Sequence, residues 1–556
     1  MVRLLRLGLC GLLLTLLLNL PMDVTALRYP WFWALPLELV VVAAVALAVG
    51  PLRAGIAGLL AVSALAPLLL LAGLEALVFS QFGRPLRLAR DFLLLPILAD
   101  AVQAAVLPRP VLLAFAALAL AGVLCALWLA WDFATTVAQM AGRPRPTLAL
   151  ALLAGGLGLF GGQQLSPSPH LRLVAADALG RVAAQLRDSR QLARELVRLE
   201  AALAHDPLAA EVPPLAALAG VDVAVIFVES YGRVAIEQPP FADLLQPRLR
   251  FWNQQLDAAG LARASGFLES PTIGGQSWLA HQTLQSGLRI DNQVAWDWLL
   301  MRPHTKLVDL FRRTGHRTLL AMPAITRPWP EGRRLGFDQL LVAVDFAYAG
   351  PPFGFAPVPD QFVLAVLARG PFARPRSPGP AVFAQVVLAT SHAPFGPLPP
   401  LLPWEEIGDG REFSALVADP ALAARIWQDP ARIRTAYSQA LIYSLDATFS
   451  FAARIADRCT LLLVLGDHPP AAVITGDHRR TVPLHVLAGD AAILAPAVRV
   501  LELVPGLLPG AQTPVPGMEE LRDRLLRAYR SEPALCAGLP AAGLRTKPAS
   551  LGSREG

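Results

Sequence analysis

The chain has 556 residues, 54% of them hydrophobic and 16% charged, with a formal net charge of +6 and a mean hydropathy of +0.49. That length exceeds one core, and that hydropathy excludes a wholly soluble protein, so part of the chain belongs in lipid. The positive excess is almost all arginine, Lys306 and Lys547 being the only lysines, and without a basic stripe interleaved with aromatics no nucleic-acid partner is expected.

Residues 1–165 form the expected transmembrane region. Five stretches, 4–21, 31–50, 54–79, 110–131 and 147–164, are long enough as helices to span a hydrocarbon core of about 30 Å. Because further spans follow the first, it is not a lone signal peptide. A sixth stretch, 91–107, holds Asp91, Pro96, Asp100 and Gln103 and reads as interfacial or re-entrant. With the N-terminus inside, five spans place Arg3, Arg6, Arg53, Arg143 and Arg145 on the cytoplasmic face and the C-terminal half outside. Arg84, Arg87 and Arg90 oppose that count, and it puts them in the outer headgroup zone, to meet lipid phosphates or to snorkel. Six spans would instead leave Arg143 and Arg145 outside and the large domain in the cytoplasm.

Residues 166–215 read as an amphipathic connector. Leu173, Ala176, Leu179, Val182 and Leu186 recur at helical spacing opposite charged positions, which suits a helix lying on the membrane or on the following domain. Among the cysteines, Cys10 and Cys125 sit in apolar runs. Cys459 and Cys536 read as small buried hydrophobes, a bridge between them in an oxidising compartment being the alternative.

From Val221 the pattern changes to short apolar runs, VDVAVIFV, LLAMP, FAQVVLA, TLLLVLG and PLHVLA. Their alternation with helical segments predicts an α/β domain over 216–535 with a central, mostly parallel sheet, followed by a flexible tail over 536–556. Reacting groups of such folds gather at the carboxyl ends of strands. There the sequence places Glu229-Ser230-Tyr231-Gly232, then Thr390-Ser391-His392, then Asp467-His468. Singly, each is a cap or a hydrogen-bonded structural residue. Together, carboxylates and imidazoles suit a divalent cation such as zinc or manganese.

The segment Ser270-Pro-Thr-Ile-Gly-Gly-Gln-Ser277 ends in a hydroxyl at the start of a helical run, with Gly274 and Gly275 allowing a tight turn. A helix N-terminus favours an incoming phosphate or sulfate. Ser277 therefore reads both as an N-cap and as a nucleophile.

This order of Glu, a hydroxyl after a Gly-rich turn, His in S-H-x-P-F and a late G-D-H resembles the alkaline phosphatase superfamily, in its branch of lipoteichoic acid synthase and phosphoethanolamine transferases. Ser286-Gly287 stands at the family's Thr-Gly spacing, Tyr443-Ser-Leu-Asp446 resembles its Y-x-x-D helix, and Thr481-Val-Pro483 its strand entry. The resemblance covers about residues 221–530. It implies metal ligation by Glu229, Ser277, Asp467 and His468, with Ser277 as nucleophile and His392 touching the transferred group. It also points to substrate contact by Trp329 and Arg333, and leaves Asp477 and His478 as a second metal pair or a solvated loop. Several residues depart from the pattern. Ser277 replaces the branch's usual Thr, no Cys-x-Pro-Ser-Arg run is present, His281 stands where that Arg would contact substrate, and Pro469-Pro470 follows G-D-H.

The function so implied is transfer of a phosphoglycerol- or phosphoethanolamine-type group from a membrane lipid donor to an envelope glycan or lipid acceptor, through a seryl intermediate. The domain would be extracytoplasmic, anchored in a bacterial inner (cytoplasmic) membrane. A phosphate or sulfate ester hydrolase, and a catalytically silent envelope protein of the same fold, are the competing readings. Oligomeric state has no signature in the sequence.

Overall fold

The computed structural model describes residues 1–19, 34–82, 85–92, 109–164, 173–204, 214–374, 379–415, 422–530 and 534–536. Two compact units divide at Arg198 and Leu199, inside a helix of the expected connector.

The first unit is helical: α1 Val2–Leu18, α2 Leu37–Val49, α3 Ala54–Phe82, α4 Arg109–Met140, α5 Pro146–Gln164 and α6 Asp177–Ala204, the last crossing the division. Among the described residues three segments, Pro51–Glu75, Leu120–Met140 and Pro146–Gln163, are long and apolar enough to cross a membrane. They match the third to fifth expected spans. The first two appear as α1 and α2, of 17 and 13 residues, shorter than the roughly 20 residues that a bilayer asks for. Residues 20–33, and all of 91–107 beyond Phe92, lie outside the described residues.

One expectation about this unit is corrected. Arg90 does not face headgroups; it is 2% exposed, 3.0 Å from Asp188 and 2.7 Å from Glu195 of α6. A buried guanidinium needs such partners because its charge has lost its water. Along the apolar stripe of α6, Leu179 and Leu186 are exposed, while Val182 packs against buried clusters of the unit. The helix also docks through polar groups. Arg181 lies 3.2 Å from Glu75, and Gln185 donates to the Leu86 carbonyl at 2.8 Å.

The second unit is built on an eight-stranded sheet: β1 Asp222–Val228, β2 Ala262–Glu269, β3 Arg317–Met322, β4 Gln339–Val342, β5 Val382–Val387, β6 Thr460–Gly466, β7 Thr481–Ala488 and β8 Val504–Pro505. Their spatial order is β8-β2-β7-β6-β1-β5-β3-β4. The run from β6 to β4 is parallel, while β7 is antiparallel to both β6 and β2. Every residue of β1, β5 and β6 is buried, as expected of parallel strands covered on both faces. Ala224, Ile226 and Val228 of β1 join the core on one face, with α7 Phe241–Ala258, α8 Asp360–Arg369 and α9 Pro430–Ile455. Val223, Val225 and Phe227 join the other, beneath the helices Ser277–Ser286, Leu307–Arg313, Ala491–Leu501 and Leu521–Tyr529.

Cys459 and Cys536 are disulfide-bonded, their Cα atoms 5.8 Å apart. The reading of both as isolated buried hydrophobes is thus overturned, and so is the assignment of Cys536 to a free tail. The Leu535 amide donates to the Ala217 carbonyl at 2.9 Å, which seats this segment beside the entry to β1. Residues 537–556 lie outside the described residues.

Candidate metal and nucleophile site

Parallel pairing brings the first two carboxylates together. Val228 of β1 is in register with Gly466 of β6, so Glu229 and Asp467 leave the sheet side by side. On the other flank of β1, the Leu388 amide donates to the Phe227 carbonyl at 2.9 Å, and Ser391 Oγ to the Glu229 carbonyl at 2.7 Å. That brings the His392 loop to the same edge. Ser230, just after Glu229, holds a left-handed φ of 58°; Tyr437 donates to its carbonyl at 2.9 Å. A non-glycine residue keeps that conformation only where its surroundings impose it.

The nucleophile segment reaches the same place from β2. Gly274 and Gly275 have φ of 72° and 142°, values that favour glycine. The Gly274 amide donates to the Pro469 carbonyl at 2.9 Å, and the Ser270 hydroxyl to the Asp467 carbonyl at 2.6 Å. The N-cap of the helix is Gln276, with φ 65°, and Ser277 is its first residue. This corrects the expectation that Ser277 is itself the cap. Its hydroxyl is turned away from the helix amides: it donates to Glu229 Oε2 at 3.1 Å and lies 3.2 Å from His468 Nε2.

Glu229, Asp467 and His468 present one ligand atom each within 4.8 Å of one another, all three buried. His468 Nδ1 donates to the Pro469 carbonyl at 2.9 Å, which leaves the Nε2 lone pair for a cation. Asp467 Oδ1 accepts from the amides of Ser230 and His468, at 2.9 and 2.7 Å, whereas Oδ2 is buried with no hydrogen-bond partner. An orphaned carboxylate oxygen in a dry interior is costly, and a divalent cation would satisfy it. The donor set therefore fits a divalent cation.

The electrostatics agree. Burial, then the Glu229 charge, pushes Asp467 up to about 6. Burial also opposes ionisation of Glu229, but the facing His468 and His392 outweigh it and lower its pKa. For His468 burial works downward, and the two carboxylates raise it above the ordinary value.

The remaining expected residues separate. His281 is buried one helical turn after Ser277, its ring 4.4 Å from Phe227. The charges of Asp467 and His468 act on it, which places His281 beside the cluster. Its Nε2 has no partner, and burial brings its pKa down to about 4, so the ring is neutral. Trp329 packs over Gly332 and Arg333 is exposed; among the described residues neither is hydrogen-bonded to the cluster. Asp477 is taken by Arg479 at 2.7 Å and His478 is exposed, so the structure does not bring this pair to a second metal site.

Asp360 went unnoticed in the sequence. Fully buried, its Oδ1 accepts from the amides of Ala389 and Thr390 at 2.9 and 3.0 Å, fixing the loop that carries His392. Pro359-Asp360 at a helix start was the available signal, and it reads as ordinary capping. Pro469 is also more than a departure from pattern, since its carbonyl serves both Gly274 and His468.

No protein-family model and no curated protein matches the chain. It is similar to the solved lipoteichoic acid synthase LtaP from Listeria monocytogenes, at 13% identity over 56% of this chain and 74% of that one, with a TM-score of 0.34. The Streptococcus pyogenes phosphoglycerol transferase GacH in complex with sn-glycerol-1-phosphate gives 13% identity, coverage of 56% and 86%, and a TM-score of 0.35. The C-terminal periplasmic domain of EcEptC from Escherichia coli gives 14%, 51% and 74%, and 0.31.

Proposed function

We propose that this chain is a membrane-anchored, metal-dependent transferase of the alkaline phosphatase superfamily, moving a phospho-alcohol group of the phosphoglycerol or phosphoethanolamine type from a membrane lipid to an envelope glycan or lipid. The observation that carries this reading is the Ser277 hydroxyl, which the first turn of its helix presents to Glu229 Oε2 and His468 Nε2.

Glu229, Ser277, Asp467 and His468 would hold the cation, which when bound lowers the hydroxyl pKa and offsets charge on the phosphoryl oxygens. Ser277 Oγ attacks phosphorus while its proton passes to Glu229 Oε2, the acceptor it already faces. The Oγ–P bond forms, the P–O bond to the lipid alcohol breaks, and the departing oxygen takes a proton from His392. In the second half the acceptor hydroxyl gives its proton to His392 and attacks the same phosphorus. Glu229 then returns its proton to Ser277. Arg333, exposed after β3, suits a bidentate contact with the transferred phosphate, and Trp329 braces that turn.

An extracytoplasmic second unit on a five-span anchor completes the reading. It is supported by the Cys459–Cys536 disulfide, since such bonds persist in oxidising compartments, and by the arginines that five spans place inside. The experiment is expression with lipid and glycan analysis. One phospholipid headgroup should fall, an envelope glycan or lipid should gain it, and Ser277→Ala should reverse both. Loss of headgroup to water alone would make the protein a hydrolase, and no change in either pool would refute catalysis of this kind.

A further inference from the structure

His392 lies in a loop whose backbone is fixed and whose side chain needs a separate restraint. Ser391 and Asp360 tie the main chain down over the three residues before it. The ring itself donates from Nδ1 to the Ala393 carbonyl at 2.6 Å and is stacked by Phe355, with centroids 3.7 Å apart and planes at 20°. Phe355 sits at the tip of a tight turn. Phe353 and Ala356 exchange both backbone hydrogen bonds at 3.1 Å, Gly354 has φ 56°, and Phe353 is buried at 2% exposure. Phe355 remains 50% exposed. Half-exposed, the ring adds little to the core, and it stacks on the His392 imidazole.

We infer that Phe355 is a positioning residue for His392: it covers one face of the imidazole and, with the Ala393 carbonyl on Nδ1, leaves Nε2 as the ring nitrogen available to the transferred group. This rests on the reading above, in which His392 moves the proton of the leaving oxygen. Without Phe355 the loop stays in place while the ring is free to turn about its side-chain bonds. Fewer turnovers then begin with the nitrogen correctly placed, so kcat falls and KM changes little.

The test is a cycle on the full-length protein with phosphatidylglycerol in mixed micelles as probe, whose alkoxide leaving group needs a proton, with Ser277→Ala as reference. Phe355→Ala should lower kcat by about 2- to 12-fold, the range that an aromatic pair is worth, with KM nearly unchanged. Phe355→Tyr should restore it, Phe355→Leu should not, and Phe355→Ala should add nothing in a His392→Gln background. Wild-type kcat in Phe355→Ala, a loss confined to KM, or a full loss on top of His392→Gln would overturn the inference. Should Ser277→Ala keep the activity, the functional reading falls instead, and the imidazole resonance of His392, assigned with His392→Gln in histidine-labelled protein, decides the inference. It should lose an aromatic ring-current shift in Phe355→Ala, and an unchanged resonance would contradict the stack.

Discussion

The amide of Gly274 donates to the carbonyl of Pro469 at 2.9 Å, joining the turn that presents Ser277 to the loop that follows Asp467 and His468. With the Ser270 hydroxyl on the Asp467 carbonyl, this contact joins segments nearly two hundred residues apart in the chain. A Cβ at position 274 would meet the Ala471 Cα at 3.0 Å, with φ at +72°. Gly274→Ala should therefore cost about 1–3 kcal/mol of stability through the left-handed backbone, and more than tenfold in kcat/KM as the contact is pushed open. Thermal unfolding and steady-state kinetics on one preparation check this; unchanged kcat/KM beside a lowered Tm would mean that the contact is merely structural.

The donor set makes a stoichiometric prediction. The purified protein should carry about one tightly bound divalent ion per chain, and Asp467→Ala should remove it, because a cation site of this kind does not survive loss of a central carboxylate. Elemental analysis with native mass spectrometry measures it. Active protein free of any divalent metal would refute the chemistry, and two equivalents would bring Asp477 and His478 back into consideration.

His485 ties stability to pH. It is buried between the Tyr231 hydroxyl, 2.9 Å from Nε2, and Ser265 Oγ, 2.7 Å from Nδ1. Burial brings its pKa down from 6.5 to about 3. The unfolded chain thus binds this proton more readily than the folded one. The contribution is complete above the unfolded value and is lost as pH falls from about 6.5 towards 3, by up to about 1.4 kcal/mol per pH unit. Urea unfolding at a series of pH values should show a shallower acid slope in His485→Gln than in wild type. Equal slopes would place the acid sensitivity elsewhere.

The disulfide should matter to stability and to compartment. Cys536→Ser should lower unfolding free energy by about 2–4 kcal/mol, and reductant should destabilise wild type but not the variant. Thiol labelling after denaturation, without reductant, should find Cys10 and Cys125 but neither Cys459 nor Cys536. Labelling of all four in freshly isolated membranes would contradict an oxidising location for this unit.

Much of the second unit was legible because its buried parallel strands are written as unbroken apolar runs. β1, β5 and β6 need no polar face, and the residues that follow them need not serve packing, so Glu229, His392 and Asp467-His468 stood out. β2 was missed: Arg263, Ser265 and Glu269 interrupt its pattern, and its pairing with β7 is not a local property. Arg90 was misread for a similar reason, since Asp188 and Glu195, 98 and 105 residues away, turn a headgroup arginine into a buried one. The disulfide likewise depends on two distant segments meeting. The helix start differs by one residue from the reading of Ser277 as the cap, because Gln276 continues the positive-φ run of Gly274 and Gly275 and becomes the N-cap itself.

The central claim is that Ser277 carries the transferred group. Membranes containing the protein would be incubated with a radiolabelled phospholipid donor, quenched in acid and digested, and the peptide spanning 277 examined by mass spectrometry. The account expects the phospho-alcohol on Ser277 in wild type, accumulating when acceptor is withheld and absent from Ser277→Ala. Full activity with no adduct on this peptide, or with the group on another side chain, would contradict it.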